Sequence, residues 1–162
     1  MLLRTLMAAC FALLALSVPV LSAPVLSAPV LAATETAPAI EVWKSPTCGC
    51  CGKWVEHLEA NGFTVKAKNT SPAMLDRIKR QAGIEEKLAS CHTGLIDGYA
   101  IEGHVPASDI KRLLEERPDA IGLTVPNMPI GSPGMEQPGG ETEPYDVLLV
   151  KKDGSAEVFA SH

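Results

Sequence analysis

Three cysteines fall within four residues, Cys48-Gly49-Cys50-Cys51, and a further one, Cys91, is followed at once by His92. Thiols are soft ligands and redox groups: they hold Cu(I), zinc or iron–sulfur clusters, or they exchange electrons. In an oxidising compartment these four would by default form two disulfides. That pairing is crowded here. A Cys48–Cys51 bridge has the ordinary C-x-x-C spacing, whereas a bridge between the neighbours Cys50 and Cys51 forces an unusual ring. If Cys48 pairs with Cys51, Cys50 must reach Cys91 or stay free. A metal site uses the same sulfurs without the crowding. Structural zinc prefers two separated C-x-x-C knuckles, and this chain has one overfull knuckle and a lone cysteine. Cu(I) accepts two or three thiolates and tolerates sulfurs that bridge several ions. Four thiolates would balance four Cu(I) ions, and a neutral cluster costs less to bury than a charged one.

Other soft or imidazole donors stand within reach of such a site. His92 is the first candidate after the cysteines because it adjoins Cys91, and His104, ahead of Val105-Pro106, is a secondary one. Met128 and Met135 flank a Gly/Pro-rich loop, and thioethers are soft copper ligands where thiols are vulnerable to oxidation. The plainer role for both methionines is to fill space under that loop. The loop itself reads as a cover that controls access of water and oxidant to the sulfurs. His57, mid-helix among charged residues, reads as solvated, and the terminal His162 as disordered.

The segment ahead of the cysteines has the features of an export signal. Arg4 supplies a positive start, Leu6 to Val20 is an apolar run, and the repeat PVLSA-PVLSA-PVLAA ends in small residues. Val30-Leu31-Ala32 fits a cleavage site, so residues 1–32 read as a signal peptide and 33–38 as a polar lead-in. The apolar core is short for a membrane span, and Pro19, Pro24 and Pro29 break its continuation. No stable span is expected after cleavage, and the expected location is the periplasm. Cys10 superficially suggests a lipid-anchor site, but the apolar run continues past it, so it reads as part of the discarded leader.

Residues 39–162 then form a single domain. Losing Arg4 with the leader moves the formal charge from −5 to −6. No basic stripe forms, which argues against nucleic acid as a partner. Only Trp43, Trp54, Phe63, Tyr99, Tyr145 and Phe159 remain as aromatics, so Val, Ile, Leu and Ala must supply most of the core.

Periodicity and punctuation give the elements that must position the cysteines. Ile40 to Lys44 alternates as a strand, and Ser45-Pro46-Thr47 turns into the cysteine loop. A helix is expected over 52–60, with Trp54, Val55 and Leu58 on one face, and a second strand over 63–67. Ser71-Pro72 opens a second helix, which runs to about Gly83 with Met74, Leu75 and Ile78 on its apolar face. A turn around 85–89 delivers Cys91. Residues 93–96 and 99–102 form a hairpin about Asp97-Gly98. A third helix covers 108–116, and 118–144 is a long structured loop or lid holding seven prolines and glycines between Pro129 and Gly140. A final hairpin pairs 145–151 with 156–160. This order is an α/β, thioredoxin-like plan: a central mixed sheet flanked by helices, with a Gly/Pro/Met-rich loop and a C-terminal hairpin. It places the cysteine turn at a helix N-terminus, where partial positive charge favours thiolate.

Four stretches of the chain make it recognisable. Cys48-Gly49-Cys50-Cys51-Gly52-Lys53-Trp54, Ser90-Cys91-His92-Thr93, Glu102-Gly103-His104-Val105-Pro106 and the run from Val125 to Glu136 resemble the CopG-type copper-resistance proteins. The resemblance spans nearly all of the chain after the leader. It implies a thioredoxin-like fold, a periplasmic location, copper binding through cysteine sulfur, and redox handling of Cu(I) and Cu(II). It maps the family's cysteines onto Cys48, Cys50, Cys51 and Cys91, and its Cys-His pair onto Cys91-His92. One departure is visible: Asn127 stands where Gly is expected before Met-Pro.

Three functions compete. The first is a periplasmic copper protein that holds Cu(I) in a thiolate cluster, multinuclear if the sulfurs bridge, cycles it with Cu(II), and serves detoxification or delivery to copper efflux or redox proteins. The second is a thioredoxin-like thiol–disulfide oxidoreductase using Cys48 and Cys51, for which Cys50 would be an interfering neighbour. The third is a passive binding module stapled by disulfides, which has no need of three thiols at a helix start.

Overall fold

The computed structural model describes residues 39–162; the expected leader, Cys10 and the lead-in lie outside them. Seven strands form one sheet in the order β2-β1-β3-β4-β5-β6-β7. β1 (Ala39–Lys44) enters α1 (Gly49–Ala60), and β2 (Thr64–Asn69) returns parallel to β1. α2 (Pro72–Gln81) and a 3-10 turn, Glu86–Leu88, lead to the antiparallel pair β3 (His92–Ile96) and β4 (Tyr99–Glu102). α3 (Ala107–Glu116) comes next, then β5 (Ala120–Thr124), β6 (Asp146–Lys151) and β7 (Ala156–Ser161). The sub-order β2-β1-β3-β4, with β1 parallel to β2 and antiparallel to β3, is the core of the expected thioredoxin-like plan.

The sheet separates two apolar layers. Trp54 and Leu58 of α1 and Ile110 and Leu113 of α3 pack with Val42, Ile101 and Leu149. Ile84 and Leu88, after α2, pack with Ala100 and Val150. The alternation of Ala100 with Ile101, and of Leu149 with Val150, is the two-faced pleat of a strand buried on both sides.

Two expectations need correction. α1 starts at Gly49, not Gly52, because Cys48 is its N-cap: the sulfur accepts the Cys51 N–H at 3.3 Å. Cysteine is an unusual cap, so the usual cap residues gave no warning. Cys50 and Cys51 therefore lie in the first helical turn rather than in a loop before it. Second, β5 lies inside the stretch expected to be loop. Its Ala-Ile-Gly-Leu-Thr is short and carries a glycine, which reads as a breaker. The glycine is there for contact: a Cβ on Gly122 would sit 1.8 Å from the Ala100 carbonyl oxygen of β4. α2 is capped by Ser71 as expected, but it buries Leu75 and Lys79 while Met74 is 46 % exposed.

Candidate metal centre

The β1–β3 register pairs Lys44 with His92. The end of β1, which feeds the cysteine turn, is thus opposite the start of β3, which carries Cys91. Cys48, Cys50, Cys51 and Cys91 consequently bring their sulfurs within 4.8 Å of one another. Cys48 and Cys51 are joined as a disulfide with Cα atoms 5.4 Å apart, and Cys50 and Cys91 are free. The Cys50 sulfur is 3.5 Å from that of Cys48. The oxidised pair is thus the C-x-x-C pair, and the cysteine inside it remains a thiol.

The β3–β4 hairpin supplies the imidazoles. Thr93 is registered with Glu102, and the Gly103 N–H donates to the His92 carbonyl at 3.1 Å. His92 and His104 therefore stand at the two ends of one hairpin, their rings perpendicular with centroids 5.0 Å apart. The His92 Nδ1 is 3.3 Å, and the His104 Nε2 3.2 Å, from the Cys91 sulfur. Cys91, His92 and His104 form a second set of donors within 4.8 Å, sharing Cys91 with the four sulfurs.

The lid selects one tautomer of His104. Its Nδ1–H donates to the Pro133 carbonyl at 2.8 Å, leaving Nε2 as a lone pair aimed at Cys91. A histidine oriented by a backbone carbonyl on its far nitrogen is the usual support of a metal ligand. His92 is fully buried against the Trp54 ring, at 4.3 Å, and its Nε2 has no hydrogen-bond partner. Burial holds the His92 pKa well below its ordinary value, helped by the charges of His104 and Lys79, and burial lowers His104 as well. Both rings are therefore neutral at neutral pH, the form that ligates. The Cys91 thiol is pushed up to about 12 by burial and then by Cys50. A soft ion entering here displaces that proton. Two free thiols and two neutral imidazoles stand beside the Cys48–Cys51 disulfide, whose reduction would add two more thiols, and this donor set fits a soft metal ion as a substrate.

The Gly/Pro loop closes over α1. Gly134 has φ +89°, and a Cβ there would lie 2.7 Å from the Cys50 carbonyl oxygen and 2.9 Å from the Trp54 nitrogen. Only glycine permits both the angle and the approach. Met128 is 46 % exposed and Met135 half-buried, on either side of this contact. Asn127 has φ +63°, the left-handed conformation that asparagine tolerates better than other side chains, so its replacement of the expected glycine leaves the turn intact. Its carbonyl accepts the Ser90 hydroxyl.

Two histidine expectations are corrected. His57 is partly buried, and its Nε2 accepts the Ala107 N–H at 3.1 Å, capping α3, whose Pro106 has no side-chain cap to give. His162 is ordered: it stacks on Tyr145 and meets the Asp109 carboxylate at 2.8 Å. His104 was the site residue least visible in the sequence. The Asp97-Gly98 turn was its available signal, because closing the hairpin there brings residue 104 back beside residue 92.

A family model described as a protein of unknown function, DUF411, matches residues 88–135, which span Cys91, His92, His104 and the lid as far as Met135 but not the cysteine turn. No curated protein matches the chain. Two solved structures do, forms 1 and 2 of a copper resistance protein, copG. Form 1 is 45 % identical with a TM-score of 0.71, covering 76 % of this chain and 96 % of its own. Form 2 is 44 % identical with a TM-score of 0.72, covering 78 % and 98 %.

The chain belongs to the CopG copper-resistance family.

The match to the CopG structures supports the thioredoxin-like α/β fold. Among the described residues, no helix is long and apolar enough to cross a membrane.

Proposed function

We propose that this protein binds Cu(I) in the periplasm, reached through a cleaved leader, and serves copper resistance. Cys48, Cys50, Cys51 and Cys91 are the sulfur ligands, and His92 and His104 complete the shell. The single observation that carries this reading is the convergence of four sulfurs with a histidine lone pair that the Pro133 carbonyl orients toward them. Copper-resistance structures at 44–45 % identity support copper as the cargo.

The Cys48–Cys51 disulfide is the two-electron oxidised form of the site. Two thiols at these positions reduce two Cu(II) to two Cu(I), release two protons and close the disulfide. Reopening it takes two electrons and two protons from a periplasmic dithiol or redox partner. In the oxidised state Cys50, Cys91, His92 and His104 remain as donors; in the reduced state all four sulfurs do, and copper passes on to an efflux protein.

A thiol–disulfide oxidoreductase is the second reading, and the disulfide at the N-terminus of α1 favours it. The two separate in one experiment. The protein is purified anaerobically with Cu(I), and bound copper and free thiols are counted. We expect at least two copper ions per chain, and loss of most of them in Cys50→Ser while Cys48 and Cys51 still pair. Full disulfide reductase activity without bound copper would overturn the copper reading, and fewer than two ions per chain would exclude a multinuclear cluster.

A further inference from the structure

Lys79 of α2 and Glu102 of β4 form a buried ion pair, with side chains 8 % and 0 % exposed. Neither is a ligand in the site above. Glu102 Oε1 accepts the Lys79 ammonium and also the backbone N–H of Ser90, the latter at 2.6 Å. Glu102 Oε2 accepts the Thr93 hydroxyl at 2.7 Å, and Lys79 donates to the same hydroxyl oxygen at 3.1 Å. Burying a charge pair rarely adds stability: desolvation costs several kcal/mol per ion, and packed apolar replacements are often at least as stable. The position of this pair suggests another role. Residues 90 and 93 bracket Cys91-His92, so one carboxylate grips the chain on both sides of the two ligands. Successive residues of a strand face opposite sides of the sheet. Thr93 and Glu102 thus lie on the α2 side, behind the sheet from His92 and Trp54.

Ser90 and Cys91 precede β3 and have no ladder partner to fix them. Ser90 is otherwise held by its hydroxyl on Asn127. The chain entering Cys91 is therefore set by the hydrogen bond that the Ser90 amide donates to Glu102. We propose that Glu102 is a positioning residue for Cys91 and His92, that Lys79 serves to hold its carboxylate in place, and that the Ser90 amide hydrogen bond transmits the effect. This rests on the copper reading above.

Two double variants of the whole chain differ in whether residue 102 keeps polar atoms for Ser90 and Thr93. Lys79→Met with Glu102→Gln removes both charges and keeps an acceptor for Ser90; Lys79→Met with Glu102→Leu removes both charges and the acceptor. Neither leaves a buried charge unpaired. Cu(I) affinity is read by competition with a chromophoric Cu(I) chelator, and alkylation of Cys91 by a maleimide is read on the reduced, metal-free protein. The Leu variant is expected to bind Cu(I) about tenfold more weakly than the Gln variant, the usual size of an outer-shell effect, and its Cys91 to alkylate several-fold faster. Equal affinities and equal alkylation rates overturn the inference. Should wild type bind no copper while the alkylation rates still separate, the copper reading fails and the positioning role stands. If the Leu variant does not fold, Ser90→Pro is compared with Ser90→Ala: both lose the hydroxyl, the proline loses the amide donor as well, and the extended Ala89 before it (φ −78°, ψ 153°) suits a following proline. The same tenfold difference is expected, and its absence overturns the inference.

Discussion

Cys48, Cys50 and Cys51 occupy one turn of α1 and are held by local chemistry, whereas Cys91, His92 and His104 come from the two ends of a hairpin and are held by tertiary structure. On the helix side, a sulfur caps the helix and a disulfide closes over Gly49 and Cys50. On the hairpin side, strand register, the lid carbonyl of Pro133 and a buried carboxylate each fix one residue. The helix side holds the disulfide, and the hairpin side is the half whose candidate donors do not depend on its state. Cys91 belongs to both.

Cys91→Ser is therefore expected to have the largest effect of any single change. It removes the only donor common to both ligand sets, and Cu(I) affinity should fall by about a hundredfold or more, roughly 2.7 kcal/mol. Cys50→Ser should fall short of that, since Cys91, His92 and His104 are untouched. The measurement is Cu(I) competition on both variants under reducing conditions. Equal losses would mean that the halves act as one cluster with no hierarchy.

The next effect sharpens the hairpin side. His104→Gln keeps a side chain of similar reach but loses the oriented lone pair, and a loss of about tenfold in Cu(I) affinity is expected. Pro133 offers only its carbonyl, so no substitution there removes the hydrogen bond cleanly. The informative control is His92→Gln. If only the oriented imidazole matters, His92→Gln costs less than His104→Gln in Cu(I) competition; the reverse order would place the ligand at the unpartnered His92.

Gly134→Ala tests the lid from the helix side. The new methyl meets backbone atoms of Cys50 and Trp54 at a positive φ, and the loop must lift. A destabilisation of about 1–3 kcal/mol is expected in urea denaturation, with faster alkylation of Cys50 in the native state. Unchanged Cys50 reactivity would show that the loop does not control access.

The same contrast decides what could be read from the sequence. The helix side is contiguous, so three thiols in four residues announced it, and the strand and helix around it were recognisable from alternation and from Trp54, Val55 and Leu58. The hairpin side depends on which residues oppose which, and that emerges only once Asp97-Gly98 is taken as a turn and β3 is set beside β1. Glu102 and Lys79 look like ordinary surface charges in the sequence, because nothing local reveals that α2 turns Lys79 inward. β5 was hidden by its glycine, which reads as a breaker until the carbonyl of Ala100 is seen pressed against it.

The smallest effect concerns His57, which lies outside both halves but ties α1 to the start of α3. Its Nε2 accepts the Ala107 amide only while unprotonated. Burial lowers its pKa in the folded protein, with Glu136 pulling the other way. The unfolded chain therefore binds this proton more readily. The stability contributed by His57 is complete above the unfolded value, near pH 6.5, and is lost as pH falls from there toward the depressed folded value. Because the ring is only partly buried, the pH-dependent part should be about 0.5 kcal/mol or less, on top of a cap worth about 1 kcal/mol. Wild type and His57→Leu are compared by urea denaturation at pH 7.5 and pH 5. The variant is expected to be less stable at pH 7.5, with the gap narrowing at pH 5. The buried His92 and His104 titrate in both proteins and cancel in the difference, so a gap that widens in acid would mean that His57 is favoured as the cation, held by Glu136 rather than by the α3 amide.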